Sequence, residues 1–366
     1  MIGILGGYQT HFGERFEVGL DELILEASMG AIKDAGIKKE AIDLVIVGNK
    51  LSGKIVGQDH LGSLTTTLLG LTVPGFRVEA ACASGGVAVN QAVQAIKAGS
   101  AKTVLVVGAE KMTDKSNGGI AAALMGAGSE DERRAGLSFV GLYALMARSY
   151  MEKFGAERRD LARVAVKNHR QAVLNTKAQF RREITEEMVL LAMRVAEPLG
   201  LLDCSPITDG AAAVVISKDR GKVEIVASEI ATDSLSLSER KSLTGLEATQ
   251  EASRKAYKSA QVEVKEIEIA EVHDCFTIAE ILALEDLGIC IKGEGYKGVK
   301  IPINTSGGLK ACGHPVGATG VKQVVEIYKQ LSGQAEERQV KGVSLGLTHN
   351  VGGTGGTVVV NILRKI

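Results

Sequence analysis

Residues 21–49 read DELILEASMGAIKDAGIKKEAIDLVIVGN, and residues 249–273 read TQEASRKAYKSAQVEVKEIEIAEVH. Each stretch begins with apolar residues at helical spacing, passes through a short break and ends in an apolar run that predicts a buried strand. The same order of elements therefore occurs twice in one chain. We interpret this as an internal duplication.

The segments that follow the first unit extend this interpretation. Cys82 opens a helical run that ends at Lys97 and Gly99, and an apolar strand follows at 103–107. A strand led by glycine, at 210–216, closes the first half.

The second half repeats the pattern. A glycine-rich turn at 306–320 opens a helix, a strand follows at 342–347, and a strand led by glycine at 356–362 ends the half. Most of these strands are apolar without alternation, which is typical of strands covered on both faces. The sequence therefore predicts an α/β fold of two halves, each a mixed sheet between helices.

A long insertion separates the last two strands of the first half. The predicted units are residues 1–111 with 203–220, the insertion at 112–202, and residues 221–366. The insertion carries helical patterns at Gly141–Phe154, Arg158–Asn175 and Ile184–Met193. From its pattern alone it could cover a site or be a surface embellishment.

Composition excludes several classes of protein. Lys+Arg and Asp+Glu both total 43 in the 366 residues, so the chain lacks the charge that nucleic acid or an anionic membrane would attract. No apolar run is long enough for a bilayer, and Met1–Leu5 predicts a first strand rather than a signal peptide. The five cysteines form no CxxC pair, so no disulfide or zinc framework is expected, and we expect a cytoplasmic protein.

Residues 78–86, VEAACASGG, place Cys82 at a strand-to-helix turn. The free N–H groups and the dipole of a helix N-terminus lower the pKa of a thiol, and small neighbours leave room for a ligand. The sequence therefore predicts either a nucleophilic cysteine or, as the alternative, a buried structural one.

Two histidines are candidate site residues. His314 lies between Gly313 and Pro315 in the run 304–320, where it can act as the base for a thiol. His273 and Cys275 follow a predicted buried strand at 266–272, and sites gather at such strand ends. Core packing is the alternative for His273, and adjacent residues there converge poorly on a metal ion.

The glycine-rich stretch 348–356, THNVGGTGG, is predicted to be a loop whose backbone N–H groups face a site. It does not fit a dinucleotide fingerprint, because a strand follows it rather than a helix.

Five segments together resemble the thiolase family. They are Cys82–Gly85, Val107–Met112, Asp203–Ala212, His273–Phe276 and Cys312–Pro315. The resemblance implies two β-α-β-α-β-α-β-β halves in a five-layer arrangement, with a loop domain inserted in the first half. It also implies a homodimer or homotetramer.

Within the family, the chain is similar to the sterol-carrier-protein type and its archaeal and bacterial relatives. Ordinary thiolases carry a second cysteine in a Cys-x-Gly loop, where this chain has Asn350-Val351-Gly352. They carry Asn-Glu-Ala-Phe where this chain has His273-Asp274-Cys275-Phe276. The resemblance therefore implies that Cys275 supplies the second catalytic thiol.

The resemblance also implies a mechanism. His314 deprotonates Cys82, Cys82 carries the acetyl group of one acetyl-CoA, and Cys275 deprotonates a second acetyl-CoA, which gives acetoacetyl-CoA. Backbone N–H groups of Cys82 and Gly352 form one oxyanion site, and His273, with His314 or a water, forms the other. Neither metal nor cofactor is implied. Asn304, Gly313 and Asn350 are further candidates for lining the site.

Two rival functions stay open from the sequence. A decarboxylating 3-ketoacyl synthase shares the fold, and Asn304 could mimic its asparagine, but it needs no second thiol. A partner-dependent acyl-CoA-binding subunit is the other, since thiolase-like chains can work with 3-hydroxy-3-methylglutaryl-CoA synthase and a small bridging protein. Such a complex would place the chain in lipid metabolism and the mevalonate pathway.

Overall fold

The structure is a computed structural model that describes residues 1–218 and 221–366. Its strands are β1 (Ile2–Gln9), β2 (Leu44–Gly48), β3 (Gly75–Val78), β4 (Thr103–Glu110), β5 (Arg194–Ala196), β6 (Leu199–Gly200), β7 (Gly210–Lys218), β8 (Val223–Thr232), β9 (Ile269–Glu271), β10 (Leu345–Gly352) and β11 (Thr357–Lys365).

The α-helices are α1 (Leu20–Ala35), α2 (Ser52–Ile55), α3 (Leu61–Leu69), α4 (Ser84–Lys97), α5 (Asn117–Leu124), α6 (Glu130–Arg134), α7 (Phe139–Phe154), α8 (Arg158–Val173), α9 (Glu186–Leu191), α10 (Glu247–Ala260), α11 (Thr277–Asp286), α12 (Gly308–Cys312) and α13 (Thr319–Ser332).

The main sheet has the strand order β3-β2-β4-β7-β1-β8-β11-β10-β9. The first five strands belong to the first half and the last four to the second. An isolated bridge between Ala270 and Ile303 stands where the second half would have its third strand. Each half therefore has the order third, second, fourth, fifth, first, and the predicted duplication is confirmed. Among the described residues, strand pairing joins the two halves through Gly3–Glu224 and Ile4–Val223.

Two helices lie between the halves of this sheet. α4 and α13 pack against each other and contact strands of both halves. Val89 of α4 and Val321 of α13 share one apolar cluster with Ile4 of the first half and Leu363 of the second. α1 covers the outer face of the first half and α10 covers that of the second. The result is helix, sheet, helix, sheet, helix, the predicted five layers.

Strand β4 explains why the sequence lacks alternation. Val104 and Val106 face the central helices, whereas Leu105 and Val107 face α1. Both faces of the strand are therefore buried, and an apolar residue is needed at each position.

The insertion between β4 and β7 folds mainly as helices α5 to α9 with the small β5–β6 hairpin. Its helix α7 packs on α11 of the second half through Leu142, Met146 and Tyr150 against Ile278 and Leu282. The insertion thus spans both halves. The domain boundary predicted at residue 220 lies outside the described residues.

Four local predictions are corrected. The strand predicted at 342–347 starts at Leu345 and runs to Gly352, so half of the predicted loop 348–356 is strand. Pairing with β11 buries this polar stretch, where the Asn361 side-chain amide donates to Thr348 Oγ1 at 2.9 Å. The predicted turn 306–320 contains the short helix α12, and the strand predicted at 266–272 is only Ile269–Glu271.

In the described part of the chain, no helix combines the length and apolar character needed to span a membrane.

Candidate active site

A tight turn presents Cys82 just before α4. Ala81 adopts a left-handed conformation with φ of 51°. The Ser84 hydroxyl stabilises the turn, because it accepts from the Ala80 N–H at 2.9 Å and donates to the Ala81 carbonyl at 2.6 Å. Cys82 is half-buried. The turn holds the thiol at the start of the central helix, between the two halves.

Gly313 and Thr208 set the backbone position of His314. Gly313 has φ of 118°, and a Cβ there would lie 2.8 Å from Thr208 Cγ2, so only glycine fits. The His314 N–H donates to Thr208 Oγ1 at 3.0 Å. The ring of His314 contacts Thr319, the first residue of α13.

The hydrogen bonds of Thr319 fix the tautomer of His314. The Thr319 hydroxyl donates its one proton to the Pro315 carbonyl at 3.0 Å. His314 Nδ1 lies 2.7 Å from the oxygen of that Thr319 hydroxyl. Because that oxygen is left as an acceptor, Nδ1 carries the imidazole proton. Nε2 therefore has a free lone pair and can act as a base.

Asn350 fixes the opposite tautomer at His273. Its Oδ1 accepts from the Gly86 N–H at 3.0 Å, and its Nδ2 lies 3.0 Å from the Cys82 carbonyl and 3.2 Å from His273 Nδ1. The amide donates one proton to each, so His273 Nδ1 accepts and Nε2 carries the hydrogen. That Nε2 is buried and finds no hydrogen-bond partner among the residues that the structure describes. An unpaired donor of this kind can stabilise a developing oxyanion.

Cys82 and the two histidines form one cluster. The Cys82 sulfur and one nitrogen of each ring lie within 4.8 Å of one another. The rings of His273 and His314 are edge to face, with centroids 5.1 Å apart. Three such groups can hold a metal, but here His273 offers an N–H rather than a lone pair, so the hydrogen-bonded arrangement does not fit a metal ion.

Cys275, which comes shortly before α11, lines the same cavity as Cys82 and His314. The cavity measures about 190 Å³. Further lining comes from the insertion, through Met112, Ala121, Leu124, Phe139, Val140 and Tyr143. The insertion thus covers the site, and the alternative of a surface embellishment is wrong.

Burial is the largest influence on the pKa values of Cys82 and His314. It raises the pKa of the Cys82 thiol, while the nearby Lys50 ammonium and the Gly353 backbone N–H lower it. It lowers the pKa of His314 to about 3, with Lys50 and Lys322 contributing. At neutral pH the pair is therefore a neutral thiol beside a neutral imidazole. The prediction that the helix N-terminus lowers this thiol's pKa is overruled by burial.

The end of β10 lies directly against the Cys82 turn. A Cβ on Gly352 would be 2.4 Å from the Ala80 carbonyl oxygen, so the backbones touch. The Gly353 N–H contacts the Cys82 sulfur. These contacts bring backbone donors beside the nucleophile, whereas the oxyanion roles of the Cys82 and Gly352 N–H groups stay predictions.

Two further candidates lie behind the cavity. Asn304 is fully buried, its Oδ1 accepts from the Val272 N–H at 2.8 Å, and its Nδ2 donates to Glu280 at 2.7 Å. With both ends of its amide occupied, Asn304 supports the loop before His273 and does not line the cavity, which corrects that expectation. Gly313 acts through its conformation, as described above.

Sequence reasoning did not single out Thr319, Tyr143 or Lys50 as site residues. Thr319 had a usable signal, because it lies one helical turn beyond Pro315 at the start of the predicted helix. Tyr143 and Lys50 had none, since only the packed insertion and the first half bring them to the cavity.

The chain matches known proteins over nearly its whole length. "Thiolase, N-terminal domain" matches residues 2–220 and "Thiolase C-terminal domain-like" matches residues 230–365. The acetyl-CoA acetyltransferase of Methanothermobacter thermautotrophicus is 44% identical over 100% of this chain and 99% of the relative. Human sterol carrier protein 2 is 34% identical over 94% of this chain and 67% of that protein.

A solved structure shows the same fold. The Ltp2–ChsH2(DUF35) aldolase superposes with a TM-score of 0.86 at 24% identity and covers 100% of this chain and 97% of that chain. Together with the two domain matches, these relatives identify the family, and the chain belongs to the thiolases.

Proposed function

We propose that the chain is an acetyl-CoA C-acetyltransferase, which condenses two acetyl-CoA molecules to acetoacetyl-CoA and CoA and catalyses the reverse thiolysis. The observation that carries the proposal is the cluster of Cys82, His273 and His314 within 4.8 Å, of which Cys82 and His314 line one cavity together with Cys275. The name of the relative that is 44% identical supports acetyl-CoA as the substrate.

The first half-reaction uses Cys82 and His314. His314 Nε2 takes the thiol proton as Cys82 attacks the thioester carbonyl of acetyl-CoA. The carbon–sulfur bond of the substrate breaks, the proton passes to the departing CoA, and acetyl-Cys82 remains. Because both groups start neutral in a buried site, proton transfer accompanies the attack rather than preceding it.

The second half-reaction uses Cys275. The thiol proton of Cys275 passes to His314, which is neutral again once CoA has left, and the resulting thiolate removes a methyl proton from a second acetyl-CoA. The enolate carbon attacks acetyl-Cys82, acetoacetyl-CoA forms as Cys82 departs, and the His314 imidazolium returns its proton to Cys82, so Cys275 ends as a thiol. No metal or other cofactor takes part in the proposal, because the thioesters supply the activation.

Two donor sets stabilise the charge on oxygen. Backbone N–H groups of Cys82 and Gly352 serve the tetrahedral intermediate at the acyl group. The unpaired His273 Nε2–H serves the enolate of the second acetyl-CoA. Removal of one such donor typically lowers a rate by about 10²–10³.

Intact-protein mass spectrometry after incubation with acetyl-CoA, with a thiolysis assay on acetoacetyl-CoA and CoA, tests this scheme. We expect an acetyl adduct on the native chain and on Cys275→Ala but not on Cys82→Ala. Thiolysis should be lost in both variants. Cys290→Ala is the matched control, since Cys290 lies outside the cavity lining. An adduct on Cys82→Ala, or full activity of Cys275→Ala, would refute the scheme.

The same assay separates the rival functions. Consumption of malonyl-CoA without cleavage of acetoacetyl-CoA would indicate a decarboxylating synthase. The position of Asn304, whose amide is already engaged by Val272 and Glu280, gives that rival no support. An absence of any turnover would point to an acyl-CoA-binding subunit.

The setting of the reaction is also proposed. The chain works in the cytoplasm as a homodimer or homotetramer and feeds lipid metabolism through the mevalonate pathway. A complex with 3-hydroxy-3-methylglutaryl-CoA synthase and a small bridging protein would consume the acetoacetyl-CoA. The name of the aldolase that shares the fold includes a DUF35 component. Co-purification of this chain with a DUF35 protein therefore tests whether it has a partner.

A further inference from the structure

We infer that Tyr143 is a positioning residue of the condensation step: its hydroxyl binds the Cys275 sulfur and holds it in place for proton transfer. The inference rests on the proposed role of Cys275 as the base. It concerns a residue of the insertion, which joins the two halves of the fold over the cavity.

The ring of Tyr143 is fixed by packing. Tyr143 lies in α7, is 1% exposed and belongs to the cluster in which α7 meets α11. Its ring contacts Phe276, with centroids 4.7 Å apart and planes tilted by 34°. Because Phe276 directly follows Cys275, this contact brings the phenol and the thiol together on the cavity wall.

The hydroxyl of Tyr143 lies near Cys275 and also contacts the Gly353 segment beside Cys82. It donates to the Gly353 carbonyl at 3.1 Å, and it lies near the Cys275 thiol on the same cavity wall, where it lowers the pKa of that thiol. The N–H of the same Gly353 contacts the Cys82 sulfur. One phenol therefore bridges the residue that deprotonates the second substrate and the loop beside the acyl-carrying cysteine.

The hydrogen bonds of the Tyr143 hydroxyl depend on the protonation state of Cys275. While Cys275 is a thiol, the S–H donates to the phenol oxygen and the phenol O–H donates to Gly353. When Cys275 becomes a thiolate, the phenol O–H can turn and donate to the sulfur. A hydrogen bond to the charged form favours that form, so the phenol assists formation of the base.

The surrounding charges make such help necessary. Burial raises the pKa of Cys275, and Cys82 and Asp274 raise it further, whereas Tyr143 and the Phe276 backbone N–H lower it. Burial and Cys275 raise the pKa of Tyr143 well above its ordinary value, and Arg240 opposes them. The phenol therefore keeps its proton and is a donor at every working pH.

Tyr143→Phe removes the hydroxyl and keeps the ring. We expect acetylation of Cys82 to keep its rate within about twofold, while condensation and thiolysis slow by about tenfold to a hundredfold, as the loss of one hydrogen bond to a charged group implies. A residue that only packs would not split the two half-reactions in this way.

Tyr150→Phe is the matched control. Tyr150 lies two turns along the same helix, is equally buried, and its hydroxyl binds Glu285 rather than a thiol. We expect it to leave the ratio of condensation to acetylation unchanged. If the ratio of condensation to acetylation fell in both Tyr143→Phe and Tyr150→Phe, the effect would come from the packing of α7, and the inference would be overturned.

The direct readout is the pH dependence of Cys275 alkylation by iodoacetamide in the Cys82→Ala background. Tyr143→Phe should move the midpoint to higher pH. Site-specific 3-fluorotyrosine at position 143 has a more acidic hydroxyl, which is a stronger donor, and should move the midpoint to lower pH. This variant provides the test if Tyr143→Phe fails to fold. Unchanged midpoints in both variants would overturn the inference alone, whereas an absent acetyl adduct on the native chain would overturn the proposed function.

Discussion

Asn350 Nδ2 lies 3.2 Å from His273 Nδ1, and this contact determines which nitrogen of His273 carries the hydrogen. The same amide donates to the Cys82 carbonyl at 3.0 Å. Asn350 therefore orients the proposed oxyanion donor and holds the turn that carries the proposed nucleophile.

Asn350→Asp tests the His273 tautomer. A carboxylate at this position accepts from His273 Nδ1, so Nε2 loses its hydrogen and the enolate loses its donor. We expect condensation to fall by about 10²–10³ relative to Cys82 acetylation. Rapid-quench assays of the two half-reactions measure this ratio.

Asn350→Ala is the comparison variant. It removes the amide without imposing the wrong tautomer, so His273 can still present a hydrogen to the enolate. Condensation relative to acetylation should therefore rank native, then Ala, then Asp. An Asp variant that matches or exceeds the Ala variant would contradict the tautomer assignment.

Thr319→Val tests the orientation of His314. Valine has a similar shape but offers no oxygen to His314 Nδ1, which lies 2.7 Å from the native hydroxyl. The ring can then hold its hydrogen on Nε2 and face the thiol with a donor. We expect Cys82 acetylation to slow by about tenfold or more, since a positioned general base contributes about 10²–10⁴.

Thr65→Val is the control for the lost hydroxyl. Thr65 is fully buried in α3 and donates to the Leu61 carbonyl at 2.8 Å, away from the cavity. Its substitution should leave acetylation unchanged. Equal acetylation rates in the two variants would rule out the proposed role of Thr319.

The sequence predicted the duplicated fold because buried strands and their helices leave a periodic signal on each half. It also singled out Cys82, His314 and Cys275, since each lies in a short motif at a turn. It missed the strand from Thr348 to Gly352, where polar side chains are buried by pairing with a neighbouring strand that local periodicity does not show.

Properties that depend on contacts between segments far apart in the chain could not be predicted from the sequence. Tyr143 enters the cavity from the insertion, more than a hundred residues from Cys275 along the chain. The proton affinity of Cys82 follows from burial between two halves and not from its place before a helix. Asn304 is bound at both amide ends by groups that the motif around it does not reveal.

Alkylation of Cys82 tests its protonation state. Because burial raises its pKa, the thiolate fraction at pH 7 should be smaller than that of an ordinary cysteine, whose pKa is about 8.5. The rate of iodoacetamide labelling, followed by peptide mass spectrometry, should rise through pH 9 without a plateau. His314→Ala should leave this profile unchanged, since His314 with a pKa of about 3 is neutral throughout. A plateau near pH 7 that His314→Ala abolishes would instead indicate a thiolate–imidazolium pair.

Lys322→Met tests a buried ion pair beneath the site. Lys322 Nζ lies 3.0 Å from Glu271 Oε2, and the two side chains are 1% and 0% exposed. Loss of the cation leaves the Glu271 carboxylate buried, and its remaining donors in the described part of the chain are the Ser306 N–H and hydroxyl and the Thr305 hydroxyl. Removal of one partner of such a pair typically destabilises a protein by about 3–5 kcal/mol. Urea unfolding should show this loss, whereas Lys300→Met, at an exposed lysine, should stay within about 0.5 kcal/mol of the native chain. Equal stabilities of the two variants would contradict a stabilising role for the Lys322–Glu271 ion pair.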